Sequence, residues 1–336
     1  MVRFGESRLR RSAARGVWVA GAGVVVFAAA IGAAAEAAKV TVRRDEKAGW
    51  VEVLRDAKPV LRYRFATVPV PAEVKGRKYA EARSDYIHPL YGPDGETLTA
   101  DYAGDHPHHR GVYWAWPEVY YKGGCRDLHA LQGVFARPVK LLRAESSDEG
   151  AVIEAESVWK WGDTEPIVKE LAILCVPARG PAEGWWVDLE FRFTALVDGV
   201  SVARRGQTAY GGLNLRTTLH GGQKLSHHAD PPAAAPRRNW GQIAGVPKGG
   251  KEAVAIAILE HAANPDYPGE WIKFPDIDWL QPTFPAKGTK YALPTASSGK
   301  DPLVLRYRLW VRKGAASAEE LANAWDGYNK AGARSP

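Results

Sequence analysis

Two cysteines in 336 residues leave room for one disulfide at most. Cys125 and Cys175 could be bridged in an oxidising compartment or stand as two separate thiols, and nothing in the sequence decides between them. There is no glycine-rich phosphate loop, no His-Glu-x-x-His and no Gly-x-Ser-x-Gly, so phosphoryl transfer, zincin and α/β-hydrolase chemistry lose support. No Lys/Arg-rich block with interleaved aromatics stands out, which argues against a nucleic-acid partner. There is no fixed-period repeat and no alternation of strand and helix. Apart from the N-terminal segment, no apolar run is long enough to span a bilayer.

That segment carries Arg3, Arg8, Arg10, Arg11 and Arg15, then the apolar run Val17–Gly32, then Ala33-Ala34-Ala35. It reads as a secretory leader over residues 1–35, with an uncleaved anchor as the alternative. Its removal takes five arginines and one glutamate, and the net charge falls from +7 to +3. The high pI is therefore mostly the leader. Residues 36–336 are expected to form a single domain, exported to the periplasm or beyond and free of the membrane once the leader is cleaved.

This mature chain reads as strand after strand. Lys39–Arg44, Trp50–Arg55 and Pro59–Phe65 resemble a meander. Ala66–Ser84 reads as a connection, and Asp85–Tyr91 as a short strand ending in Gly92-Pro93-Asp94-Gly95. His129–Glu145, Ala151–Trp161, Ile167–Val176 and Trp185–Val197 are long strand candidates. In the last of these Val187, Leu189, Phe191 and Phe193 alternate with Trp186, Asp188, Glu190 and Arg192, one core face against one wet face. Tyr210–Thr217 and Pro302–Arg312 are further strands. Glu252–Leu259, nearly all apolar, reads as a central strand buried on both faces. Gly221–Lys251, with its Gly-Gly and Pro-Pro pairs, reads as a long loop that includes His227-His228-Ala229-Asp230. Ser317-x-x-Glu320 has capping-box spacing and opens the one convincing helix, to about Tyr328. The expected fold is all-β: a large antiparallel β-sandwich closed by a short C-terminal helix.

Three of the nine histidines sit in Asp105-His106-Pro107-His108-His109-Arg110-Gly111. If this stretch is extended into Val112–Trp116, then His106, His108, Arg110, Trp114 and Trp116 share one face, and His109 and Tyr113 the other. Pro107 and Gly111 point instead to a turn, which would break that face. Two further segments carry chemistry. In Tyr210–Arg216, Tyr210, Asn214 and Arg216 share a face opposite Leu213 and Leu215. Glu260, His261 and Asn264 follow the buried strand directly, with Trp271 on the rim. Each also has a structural reading: a packed loop, a solvated edge strand, a satisfied histidine in a turn.

These three segments, in this order and spacing, resemble the DUF6807 family, from about Asp85 to Arg312. The resemblance implies a β-supersandwich like that of galactose mutarotase-like proteins, with a cleft for carbohydrate, in exported proteins of sugar-degrading bacteria. The family often carries the label methane oxygenase PmoA. A membrane-embedded oxygenase needs several spanning helices, so the label is not carried over.

The expected function is an exported carbohydrate-active enzyme, a hydrolase, lyase or epimerase acting on a sugar or uronate, as small molecule or oligosaccharide. His106, His108, His109 and His261 would transfer protons near neutral pH, with Glu260 beside them. Arg110 and Arg216 would bind negative charge. Trp114, Trp116 and Trp271 would stack on rings, and Tyr210, Asn214 and Asn264 would bind hydroxyls. No cofactor is required. A transition metal is possible on His106 and His108 with His261 or Glu260. The alternatives are a non-catalytic glycan-binding protein and a metal-dependent oxidoreductase. The leader makes the first prediction: mass spectrometry of natively produced protein should find a mature N-terminus between Ala34 and Lys39. An intact leader in the membrane fraction would show an anchor instead.

Overall fold

Alternation of apolar and polar side chains becomes pleated sheet almost wherever it occurs. Trp185–Ala195 buries Val187, Leu189, Phe191 and Phe193, while Trp186, Asp188 and Arg192 stay on the wetter face. On that outer face Asp188 and Glu190 lie directly opposite Arg308 and Arg306 of Leu303–Lys313. The cross-strand pairs close at 2.5 and 2.6 Å. The structure is a computed structural model that describes residues 37–206, 210–228, 239–274 and 278–330, without the side chains of 220–228 and Lys273. The leader expected over residues 1–35 lies outside the described residues.

The strands form three antiparallel sheets. The first has eight strands, in the order Val40–Asp45, Trp50–Arg55, Lys58–Arg64, Tyr86–Leu90, Val112–Ala115, Gly212–Arg216, Trp279–Thr283 and Glu270–Phe274. The second also has eight: Leu219–His228, Trp240–Pro247, Val254–Glu260, Leu303–Lys313, Trp185–Ala195, Glu165–Pro177, Gly150–Trp161 and Val134–Ser147. Short strands Lys290–Ala292, Ser201–Ala203, Glu118–Tyr121 and Gly124–Arg126 make the third. The two large sheets pack as a sandwich. Trp114 of the first meets Phe191, Phe193 and Tyr307 of the second, at centroid distances of 5.4 to 6.1 Å.

Val254–Glu260 is buried along its whole length between Trp240–Pro247 and Leu303–Lys313. Its outer face is covered by the helix Ala318–Lys330, through Ala257 and Leu259 against Leu321 and Tyr328. The capping box is formed: Glu320 N donates to Ser317 Oγ, and Ser317 N donates to Glu320 Oε2. No helix among the described residues is long and apolar enough to cross a membrane.

The expected loop Gly221–Lys251 is corrected. Leu219–His228 and Trp240–Pro247 are paired strands, with a register shift between His220 and Lys224. Trp240–Pro247 is nearly all buried, so it lacks the alternation of a half-wet strand. His227 and His228 end a strand, while Ala229 and Asp230 lie outside the described residues. Cys125 and Cys175 are both free thiols.

Glu170 and Asp85 are two of the carboxyl groups that face inward. Glu170 accepts a hydrogen bond from Trp159 Nε1 at 2.7 Å. Asp85 accepts from Ser84 Oγ at 2.5 Å and Tyr63 OH at 3.3 Å. Burial pushes Glu170 up to about 7, and burial together with the charge of Glu170 pushes Asp85 up to about 8. An acid that keeps its proton in the folded state stabilises the fold least where that proton must be lost. Stability should therefore decline as pH rises from about 4 to 8. Raising Glu170 from 4.5 to about 7 corresponds to roughly 3 kcal/mol as an upper bound. The double variant Asp85→Asn/Glu170→Gln should flatten this decline in urea midpoints measured from pH 4 to 8; an unchanged slope would assign it to other groups.

Candidate functional site

The histidine segment is a turn. His109 N donates to His106 O at 2.9 Å, and the strand begins only at Val112. The shared face of His106, His108, Arg110, Trp114 and Trp116 therefore does not exist. Arg110 is 1% exposed. Its Nη1 donates to the carbonyls of Pro107 and His109 and its Nη2 to Glu81 O, and Nε lies 3.3 Å from Asp101 Oδ1. The guanidinium also stacks 3.3 Å from the Tyr102 ring centroid. Gly111 passes so close to Ile87 O that a Cβ would lie 2.1 Å from it.

The turn delivers His108 and His109 to a third imidazole, His129. One ring nitrogen from each falls within 4.8 Å of the others. His106 stacks on His109 at 4.8 Å. The neighbouring strand Gly212–Arg216 orders the group. Arg216 Nη2 donates to both carboxylate oxygens of Asp105, at 2.8 and 2.9 Å, and Nη1 donates to His109 Nδ1 at 3.1 Å. Asn214 Nδ2 donates to Gly212 O, and Asn214 Oδ1 accepts from Gln281 Nε2 at 2.7 Å. That oxygen lies 3.1 Å from His129 Nε2, so the network assigns the His129 proton to Nε2. Tyr113 OH is 3.2 Å from the same nitrogen.

Burial holds His108 down to about 3, and His109 and His129 well below the ordinary histidine range, helped by their mutual repulsion and nearby arginines. The expectation that His108 and His109 titrate near neutrality is corrected: at pH 7 they are uncharged acceptors. Arg110 and Arg216 are corrected likewise. Their guanidiniums are occupied by Asp101, Asp105, carbonyls and His109, and they fasten the turn.

The imidazoles open onto a cavity of about 500 Å³ lined also by Tyr79, Asp127, Ala130, Arg205, Tyr210, Phe274 and Trp279. Phe274 stacks on Trp279 at 5.1 Å, and Trp279 lies 5.2 Å from His109. Tyr210 meets His129 edge-on at 5.4 Å. Arg205 and Asp127 are paired at 2.6 Å.

Residues 50–326 match the model of a family of unknown function, DUF6807. The chain belongs to this family. No curated protein matches it. Among solved structures it is similar to a GH36 α-galactosidase, AgaA from Geobacillus stearothermophilus in complex with raffinose, with 9% identity and a TM-score of 0.33. That likeness covers 82% of this chain and 41% of the other, so the chain spans less than half of that protein's length.

In this DUF6807 member, His106–Arg110 and Tyr210–Arg216 meet, and Glu260–Trp271 does not join them. Glu260 Oε2 accepts from Gly269 N at 2.7 Å. His261 Nδ1 accepts from Ala263 N and its ring packs on Tyr328. Asn264 makes two bonds to the Arg306 backbone. These residues tie the turn after the central strand to its neighbours, and none lines the cavity. Among the described residues the ligand-capable side chains that gather are His108, His109 and His129, and neither His261 nor Glu260 is in that group. Trp114, Trp116 and Trp271 lie in the core, and Trp116 Nε1 donates to Phe284 O at 2.6 Å. The rings on the cavity are Tyr210, which the sequence reading named, and Tyr79, Phe274 and Trp279, which it missed along with His129. A lone histidine and scattered aromatics gave no local signal for them.

Arg110→Met removes a buried charge with four partners and should cost about 3–5 kcal/mol in urea denaturation. A loss below about 1 kcal/mol would show that the turn holds without it.

Proposed function

We propose that the protein is an exported carbohydrate-active protein, an enzyme of the hydrolase, lyase or epimerase kind, whose ligand occupies the histidine cavity. The observation that carries this reading is the lining: uncharged imidazoles beside the rings of Tyr210, Phe274 and Trp279 in about 500 Å³. Such a volume suits one or two sugar units. Aromatic faces take the C–H surface of a pyranose, while neutral imidazole nitrogens and Tyr210 OH meet its hydroxyls. Because Arg110 and Arg216 are already engaged, a neutral sugar fits better than the uronate alternative. The two facing eight-stranded sheets are in keeping with a galactose mutarotase-like supersandwich.

A non-catalytic glycan-binding role is the second reading. It is favoured by the low basicity of the three inner histidines, which are neutral at pH 7 and carry no imidazolium proton for general-acid catalysis. Calorimetry against a panel of neutral mono- and oligosaccharides, with chromatography of the products, separates the two. Binding with turnover supports the enzyme, and binding without turnover the second reading. Trp279→Ala should weaken binding at least about tenfold through the lost stacking surface. A wild-type protein that binds no sugar on the panel overturns both.

A further inference from the structure

We propose that His108, His109 and His129 form a binding site for a borderline transition-metal dication, zinc or copper(II). The inference does not depend on the cavity's holding a sugar.

Three imidazoles from two separate segments place ligand-capable nitrogens within 4.8 Å of one another. His108 Nδ1 is buried and has no hydrogen-bond partner, an unmet acceptor that a cation would satisfy. His129 is prepared in the way ligating histidines are. Its Nε2–H is held by Asn214 Oδ1, itself fixed by Gln281, and this leaves Nδ1 bare. His109 is the conditional member. Arg216 donates to its Nδ1, so ligation through Nε2 requires the ring proton to move to Nδ1 and that bond to part. Arg216 then still keeps both oxygens of Asp105.

The donor set selects the ion. The nearby acids Asp105 and Asp127 are engaged by Arg216 and Arg205, which leaves nitrogen ligands and no free carboxylate for magnesium or calcium. The same pairing offsets the positive charge of the arginines around the group. Metal–nitrogen bonds of about 2.0–2.1 Å place nitrogens on one ion roughly 3.4 Å apart, so the rings must close in by side-chain rotation. Three protein ligands also leave a position for an oxygen donor, the arrangement of open rather than structural sites.

The test uses the full chain without an affinity tag, stripped with chelator and titrated with zinc and copper(II) chloride by calorimetry. One ion per chain is expected. His108→Gln and His129→Gln should each weaken it by more than the about 10- to 100-fold that changes around a ligand cause. Asn214→Ala should weaken it within that range, and Asn214→Asp, which keeps the acceptor, should retain it. His261→Gln should leave it unchanged. Paramagnetic resonance of the copper-loaded wild type, which needs no variant to fold, should show coupling to several imidazole nitrogens. No binding at micromolar ion, oxygen-only coordination, or binding untouched by the His108 and His129 variants would each overturn the proposal. Sugar binding plays no part in these readouts, so either idea can fail alone.

Discussion

The site depends on two buried guanidiniums that hold one turn. Arg110 gathers the carbonyls of Pro107, His109 and Glu81, and Arg216 clasps Asp105 and His109. Carbonyls turned into the protein without donors would each cost free energy on burial, and so would guanidiniums without acids. Each need meets the other here. The result is a turn of fixed shape in the interior, where an unsupported histidine loop would move to solvent.

The period of two in the adjoining strands then joins core to site. Tyr113 and Trp114 are neighbours on one strand and point to opposite faces, as do Asn214 and Leu213 on the next. In the antiparallel register Trp114 pairs with Leu213 in the core, while Tyr113 pairs with Asn214 beneath His129. The apolar half of each strand therefore anchors the polar half. A slip of one residue would bury Asn214 among the sandwich rings and expose Trp114 to the cavity.

Desolvation sets the character of the cavity. Imidazoles packed beside one another and beside arginines are held in the neutral form, and the acids that could have favoured the charged form are committed elsewhere. What remains is a cluster of lone pairs facing aromatic rings, suited to hydroxyl groups or to a borderline transition-metal cation more than to anions.

The sequence by itself determined most of the long strands, the one helix and its cap, and the polar face of Asn214 and Arg216, because these follow from periodicities of two and 3.6 that operate over a few residues. It also marked the histidine turn as unusual. It could not show that Gly221–Lys251 holds strands, and in Trp240–Pro247 the reason is that nearly full burial erases alternation. Nor could it show that His129 completes the cluster, that Arg110 and Arg216 are consumed as fasteners, or that Trp114 and Trp116 belong to the core while Phe274 and Trp279 line the cavity. Those assignments rest on which strands become neighbours and on which side of a sheet each residue falls. That is a matter of long-range pairing, decided only when distant segments close over one another and exclude water.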